Sequence, residues 1–497
     1  MNFMNPRQLI YILAMLISLS ACKVGKRYVQ PDLNLPESFR GDTLTYQQDT
    51  VIFAQISWRD FFNDPQLIAL IDSALVNNYD MRTALKNIEI ANRNLRQNRL
   101  EYLPSVEGNV ATVNKQYRSK DFYGNPSSGW YGENGEEAPD YLYQYQSQFS
   151  TGLEFSWELD IWGRIAHQQD ALKADFLDSY EAKNAIQTRL ISDVAKGYFN
   201  LIMLDAQIEV AKRNLQLNDS TLRMIRLQYD AGEITALAIQ QTESQRLLAA
   251  SLIPELEKEI ALQENALNVL IGDMPSGIRR GFKIDSLMNT DNNITLGAPM
   301  EIVRNRPDIK RAEYALIASN AQMNIRQIMR YPQLSLSGVF GVNSMLPRNW
   351  FNIPGALLGG FIGGVTTPIF RNGRLKNDYE VAKIEREKTE LELQRTVMEA
   401  VNEISNTVIT IEKQKEQIEL ARQRVENSQL AVKNASLLFM SDYATYLEVI
   451  TAQSNFLSSE LALVDIRQRQ LEAYVDLYRA LGGGWQEEAV ADKEGMD

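Results

Sequence analysis

The chain has 497 residues with only 27 Gly and 15 Pro, a low content of chain-breaking residues, so long uninterrupted elements are expected. A composition 44% hydrophobic and 23% charged excludes compositional disorder, and a formal charge of -12 argues against a nucleic-acid partner, whose phosphates need a basic footprint. One His (His167) and one Cys (Cys22) are too few for a His/Cys zinc cluster, a disulfide or a Cys/His nucleophilic pair.

At the N-terminus, Arg7 precedes an apolar run from Leu9 to Leu19 and the small residues Ser20 and Ala21. The run is too short to span a bilayer as a mature helix and reads as the apolar region of an export signal. Residues 19–22, LSAC, resemble a bacterial lipobox, in which the Cys becomes the lipidated first residue of the mature chain, so Cys22 reads as an anchor. Beyond Lys23 no apolar run has the length of a membrane helix, and any membrane crossing must be made by strands.

Three landmarks then recur at a spacing of 210 residues: Gly163-Arg164 with Gly373-Arg374, YDAGEITAL at 229–237 with FMSDYATYL at 439–447, and Ile271-Gly272 with Leu481-Gly482. The chain reads as two copies of one unit. Each copy has a helical stretch ending near a Pro (Pro104, Pro332), a strand-like hairpin, a very long helix, a turn and a returning helix. In the first hairpin, Tyr143, Tyr145, Phe149, Phe155 and Trp157 alternate with Gln144, Gln148, Ser150, Glu154 and Glu158, a period of two with one aromatic-rich face. A soluble sandwich and an outer-membrane barrel both produce that alternation. Residues 121–140, rich in turn formers, read as a long loop in this hairpin.

The long helix expected over 166–229 carries Val194, Leu201, Ile208, Leu215 and Leu222 at steps of seven. Its counterpart over 376–440 carries Val397, Ile404, Ile411, Ile418, Val425 and Val432, a coiled-coil seam. Ile450, Leu457, Val464 and Leu471 continue the step on the second return helix, while Pro254 should kink the first. The second hairpin is expected over 332–370, but its return strand, interrupted by Gly359, Gly360, Gly363 and Gly364, could equally be a loop. Four strands per chain cannot close a barrel; eight from two chains would be filled by side chains, and twelve from three begin to leave a lumen. The economical architecture is a trimeric conduit.

Other chemistry is thin. Glu154, Glu158 and Asp160 share one strand face and could be set against glycoside hydrolysis, although a wet barrel wall accounts for them more simply. His167 is expected on a helix surface, Arg279-Arg280 in a solvated loop, and Trp157 and Trp162 in an interfacial girdle or in ordinary packing. A surface-anchored coiled-coil scaffold would share the lipobox and the heptads, and a lipoprotein hydrolase would need a nucleophile and base that cannot be assembled.

The stretches WRDFFNDPQL (58–67), NRLEYLPSV (98–106), LDIWGR (159–164), NRPDIKRAE (305–313), PIFRNGRL (368–375) and LYRALGGGW (477–485) resemble the TolC-like outer-membrane efflux proteins, in the lipoprotein branch that partners resistance-nodulation-division pumps. The resemblance implies an α+β membrane protein: a trimeric 12-stranded outer-membrane β-barrel, four strands per chain, continued by a long α-helical coiled-coil periplasmic tunnel. It implies a channel without catalytic, metal or cofactor sites, and as partners a homotrimer, a periplasmic adaptor, an inner-membrane pump and outer-membrane lipid. The implied organisation is a signal peptide at 1–21, a lipidated N-terminal and equatorial segment at 22–60, a first repeat at 61–272, an equatorial linker at 273–300, a second repeat at 301–482 and a tail at 483–497. Hairpin tips form the periplasmic aperture and adaptor contact in this family, which here picks out Asp230, Gly232, Glu233, Thr235, Ser441, Asp442, Ala444 and Thr445. Relatives often carry Gly-x-Asp in the second-copy turn; this chain has Asp442 at the Gly position and Ala444 where that Asp would sit, so Asp442 is either a replacement or a solvated turn residue. Asp160, Gly163, Arg164, Gly373 and Arg374 mark the barrel-to-helix junctions.

Overall fold

Helix dominates the computed structural model, which describes residues 24–32, 57–62, 64–119, 143–281 and 305–485. The leader, Cys22, the loop at 121–140, the linker beyond Gly281 and the tail beyond Trp485 lie outside the described residues. Short helices α1 (Trp58–Phe61) and α2 (Pro65–Asn77) lead to α3 (Tyr79–Leu100), strands β1 (Ser105–Ser119) and β2 (Tyr143–Leu159), and helices α4 (Arg164–Asp230) and α5 (Ala236–Ile271). The second half repeats the order with α6 (Pro307–Ile328), β3 (Gln333–Ser344), β4 (Leu357–Thr366), α7 (Arg374–Met440) and α8 (Tyr446–Ala480). Both long helices, α4 and α7, have 67 residues, on the order of 100 Å at 1.5 Å per residue. Helix α5 runs on through Pro254.

Two compact units emerge, and neither is a sequence repeat. One comprises 1–29, 92–174 and 317–388, the other 30–91, 175–316 and 389–497, so each draws on both copies.

The first unit holds an antiparallel sheet in the order β1-β2-β3-β4. Its register puts Phe155 opposite Gly338, which lies opposite Phe361, and Leu153 opposite Phe340, which lies opposite Gly359. These residues share one face; the other aligns Ser105, Ser156 and Ser337 and sets Glu107 opposite Glu154. A register shift between Asn109 and Thr112 restores the alternation, so that Val113 returns to the apolar face opposite Phe149. The glycine-rich segment is a full strand, paired from Gln333↔Thr366 to Val342↔Leu357. Gly359 and Gly363 sit beneath the Phe340 and Leu336 side chains, and large partners across the strand take the space that alternating side chains would have filled. That exchange hides the period of two from the sequence. Phe155 likewise lies over Gly338 and meets Phe361 with ring centroids 5.3 Å apart.

The second unit is built on the heptad seams. Val397, Ile404 and Ile411 are buried, Ile418 and Val425 half-buried, and Val432 and Phe439 buried again. Val194, Leu201, Leu457, Val464 and Leu471 are buried in the same unit. Each buried aliphatic side chain contributes roughly 1.5–3 kcal/mol, so it is tertiary packing that holds helices of this length. Trp58, Phe62, Leu67 and Ile71 close one end of the core against Tyr198, Leu267, Tyr474 and Tyr478. Tyr198 Oη donates to Asp64 at 2.6 Å and accepts from the Gly281 N–H at 2.9 Å. Burial and the Asp64 carboxylate push the Tyr198 phenol well above its usual range, so it stays protonated in that tie.

Candidate functional site

At the junction between β2 and α4, Gly163 is left-handed with φ +82°, turning the chain into the helix without a Cβ penalty. Asp160 caps that helix by accepting from the Ala166 N–H at 3.1 Å. Arg164 grips Glu158 in a fork of two 3.0 Å hydrogen bonds, which neutralises one of the three carboxylates noted on this strand face. The corresponding turn before α7 has Asn372 at φ +51° and Gly373 at φ +72°, but Arg374 is exposed and its nearest acid is Asp378 at 3.8 Å. The two junctions therefore share a left-handed glycine, but neither the left-handed residue before it nor the ion pair.

His167 departs from expectation: it is 5% exposed rather than on the surface. Its Nε2 lies 2.8 Å from the Val24 carbonyl, a partner 143 residues away, and its Nδ1 lies 3.5 Å from Asp170. Trp157 Nε1 donates to the Tyr102 carbonyl at 2.9 Å and Trp162 Nε1 to the Pro332 carbonyl at 2.6 Å, so both indoles are built into the end of the sheet. Arg280 is not in a solvated loop; it donates to Glu264 at 2.7 Å and lies 3.1 Å from Asp205.

The two hairpin tips are near-copies. Gly232 at φ +82° and Asp442 at φ +59° hold the same left-handed position. Matching 6→1 bonds run from Glu233 N to Gln228 O at 3.0 Å and from Tyr443 N to Leu438 O at 2.9 Å. Asp442 thus stands in a conformation that costs a non-glycine residue about 1 kcal/mol. Asp230, Gly232, Glu233, Thr235, Ser441, Asp442 and Thr445 are exposed and Ala444 is half-buried. The tips differ in their caps. Thr235 starts α5 without a side-chain bond, whereas Thr445 forms a capping box with Glu448, whose carboxyl the Thr445 bonds hold below its usual range. The tips also touch: Ile225, Ala238, Phe439 and Val449 form one buried cluster, and Tyr446 Oη donates to Gln241 at 2.6 Å.

A chain of alternating charges, not anticipated from the sequence, crosses the helical unit. Lys196 donates to Asp476 at 2.6 Å, Arg479 lies 3.6 Å from Asp476 and donates to Glu403 at 2.6 Å, and Arg306 donates to Glu403 and Asp308, each at 2.8 Å. Arg306 and Asp308, inside the NRPDIKRAE stretch, and Arg479, inside LYRALGGGW, carried a signal, but that signal did not name their partners. Among the described residues no group of three or more His, Cys, Asp or Glu could hold a metal ion, and no helix is long and apolar enough to cross a membrane.

The chain matches the family described as outer membrane efflux protein over residues 70–273 and 298–483. It is 27% identical to the cation efflux system protein CusC of Escherichia coli O6:H1 over 475 residues, which is 95% of this chain and 97% of that one. It is also 27% identical to the solvent efflux pump outer membrane protein SrpC of Pseudomonas putida, again over 95% of this chain and 97% of the relative. Among solved structures, the open state of the Neisseria gonorrhoeae MtrE outer membrane channel superposes with a TM-score of 0.79 at 26% identity, covering 93% of this chain and 99% of that one. A CusC crystal structure gives 0.78 at 25% identity, covering 93% and 100%.

Proposed function

We infer, from the premise that this chain belongs to the outer membrane efflux protein family, that three copies pool their sheets into one barrel and pass solutes outward through it. The chain is an outer-membrane efflux channel, and a channel wall needs a lipid face, a water face and no open edge. The observation that carries the reading is the sheet itself. It is a four-stranded meander whose outer strands β1 and β4 pair with no further strand among the described residues, and whose Val106, Phe340, Phe361 and Val365 are exposed on the face opposite Glu107 and Glu154. Unpaired edges and exposed apolar surface are both removed if β4 of one copy meets β1 of the next, and twelve strands leave a lumen that four or eight would not.

The residues assign the remaining parts. Cys22 carries the lipid anchor. The hairpin tips at Asp230, Gly232, Glu233, Thr235, Ser441, Asp442, Ala444 and Thr445 form the periplasmic aperture and receive the adaptor, which links the channel to an inner-membrane pump of the resistance-nodulation-division class. Transport through the channel is passive, and no residue is given a catalytic, metal or cofactor role. The names of the relatives refer to cations in one case and solvent in another, which fits a wall that leaves the choice of cargo to the inner-membrane partner.

Reconstitution into a planar lipid bilayer tests this reading. The folded protein should give discrete ohmic conductance steps, and bulky substitution at Ala444 should alter their size or open probability. Properly folded protein that inserts and never conducts would overturn it.

A further inference from the structure

In the sheet-bearing unit, three buried polar side chains converge on one short N-terminal stretch. His167, 5% exposed, meets the Val24 carbonyl at 2.8 Å. Asn320 and Asn324, one turn apart on α6 and buried, both donate to the Lys26 carbonyl, at 3.1 and 3.0 Å. Asn324 Oδ1 also accepts from the Lys26 N–H at 3.1 Å, and the Val24 N–H donates to the Trp162 carbonyl at 3.1 Å. Between them Gly25, at φ +132°, lies so close to Asn324 that a Cβ would come within 2.6 Å of its amide carbon. Buried amides and a buried imidazole are costly unless bonded, and here much of their bonding is to a stretch with no secondary structure of its own.

We propose that Trp162, His167, Asn320 and Asn324 form a receptor for the chain's own residues 24–26, a latch that pins the lipid-bearing end of the mature chain to the helix-side end of the sheet. The proposal rests on the lipidation of Cys22 taken up above. Cys22 precedes Val24 by two residues, which limits their separation to about 7 Å. Free linkers of flexible chain would let the anchor wander and carry no information about depth. A pinned one keeps the attachment point within that reach of Val24, whose N–H meets the Trp162 carbonyl, and the Trp162 ring packs 5.3 Å from Tyr331 where β2 ends and β3 begins, the level at which aromatic residues mark a membrane boundary. The latch thus ties the depth of the sheet in the bilayer to the anchor.

Limited trypsin digestion of the full-length protein, purified in detergent from outer membranes, reads the latch directly, since Lys26 and Arg27 have exposed side chains but Lys26 has both its peptide groups bonded. Wild type should resist cleavage after Lys26 and Arg27. The Asn320→Ala/Asn324→Ala double variant should be cut on the order of a hundredfold faster, the change expected on losing three hydrogen bonds at a site of local opening. Gly25→Ala, which lies outside every helix and strand, should be cut faster with the receptor intact, so a folding defect in the double variant does not decide the outcome. Equal cleavage in wild type and Gly25→Ala, or rapid cleavage of wild type, would overturn the latch. The acyl mass on Cys22 is measured in the same digest: its absence would defeat the anchor reading alone, while protection of Lys26 reports the latch.

Discussion

Arg306→Ala is the substitution whose cost the structure sets out most fully. The guanidinium is only 10% exposed and has four bonds: to the Ala480 carbonyl at 2.5 Å, to Asp308 at 3.0 and 2.8 Å, and to Glu403 at 2.8 Å. Breaking a buried pair by removing one partner costs about 3–5 kcal/mol. Here Glu403 keeps Arg479 at 2.6 Å, and Asp308, 43% exposed, can rehydrate, so the loss should fall near the lower end, about 3 kcal/mol. Arg306→Lys keeps a charge but not the fork and should lose about half as much. Adding Glu403→Gln to Arg306→Ala should cost less than the two singles summed, by roughly 1 kcal/mol or more, because the carboxylate left behind is no longer charged. Thermal and guanidinium unfolding of the detergent-solubilised protein, followed by far-ultraviolet circular dichroism, measures all four variants, the Glu403→Gln single included. Arg306→Ala within about 0.5 kcal/mol of wild type, or Arg306→Lys as damaging as Arg306→Ala, would refute the reasoning.

Burial raises the Glu460 carboxyl despite its 3.0 Å bond to Arg213. A folded-state pKa above the unfolded one makes the charged form costly at neutral pH and removes that cost as pH falls through the folded value, so Glu460→Gln should raise the melting temperature at pH 7.5 and leave it unchanged near pH 4. An equal effect at both pH values would assign it to packing. Asp442→Gly should stabilise the tip by roughly 0.5–1 kcal/mol by relieving the left-handed backbone; destabilisation on the same melt would show that the carboxylate holds the turn. Deleting 121–140 should leave assembly intact on a sizing column, because the β1–β2 register already closes at Ser119↔Tyr143. Loss of assembly would place an intersubunit contact in that loop.

Features with a repeat or a period were readable in the sequence. The spacing of 210 matches Gly232 with Asp442, and both are left-handed. Steps of seven from Val397 located residues that line the helical core. Features made by distant partners were not readable. His167 reads as a surface residue until Val24 covers it, and Arg280 reads as solvated until Glu264 and Asp205 close on it. The charge chain joins residues as far apart as Lys196 and Asp476, where no local pattern reports the pairing. Strand β4 was obscured for a different reason: Gly359 and Gly363 fill apolar positions that Phe340 and Leu336 cover from the neighbouring strand.

The number of copies in the membrane-extracted particle tests the central claim most directly. Protein taken from outer membranes in mild detergent should scatter light as three chains and run as a trimer on an unheated gel, collapsing to one chain on boiling. A homogeneous single-chain particle that leaves the membrane once its lipid anchor is removed would contradict the account, since four strands cannot enclose a pore.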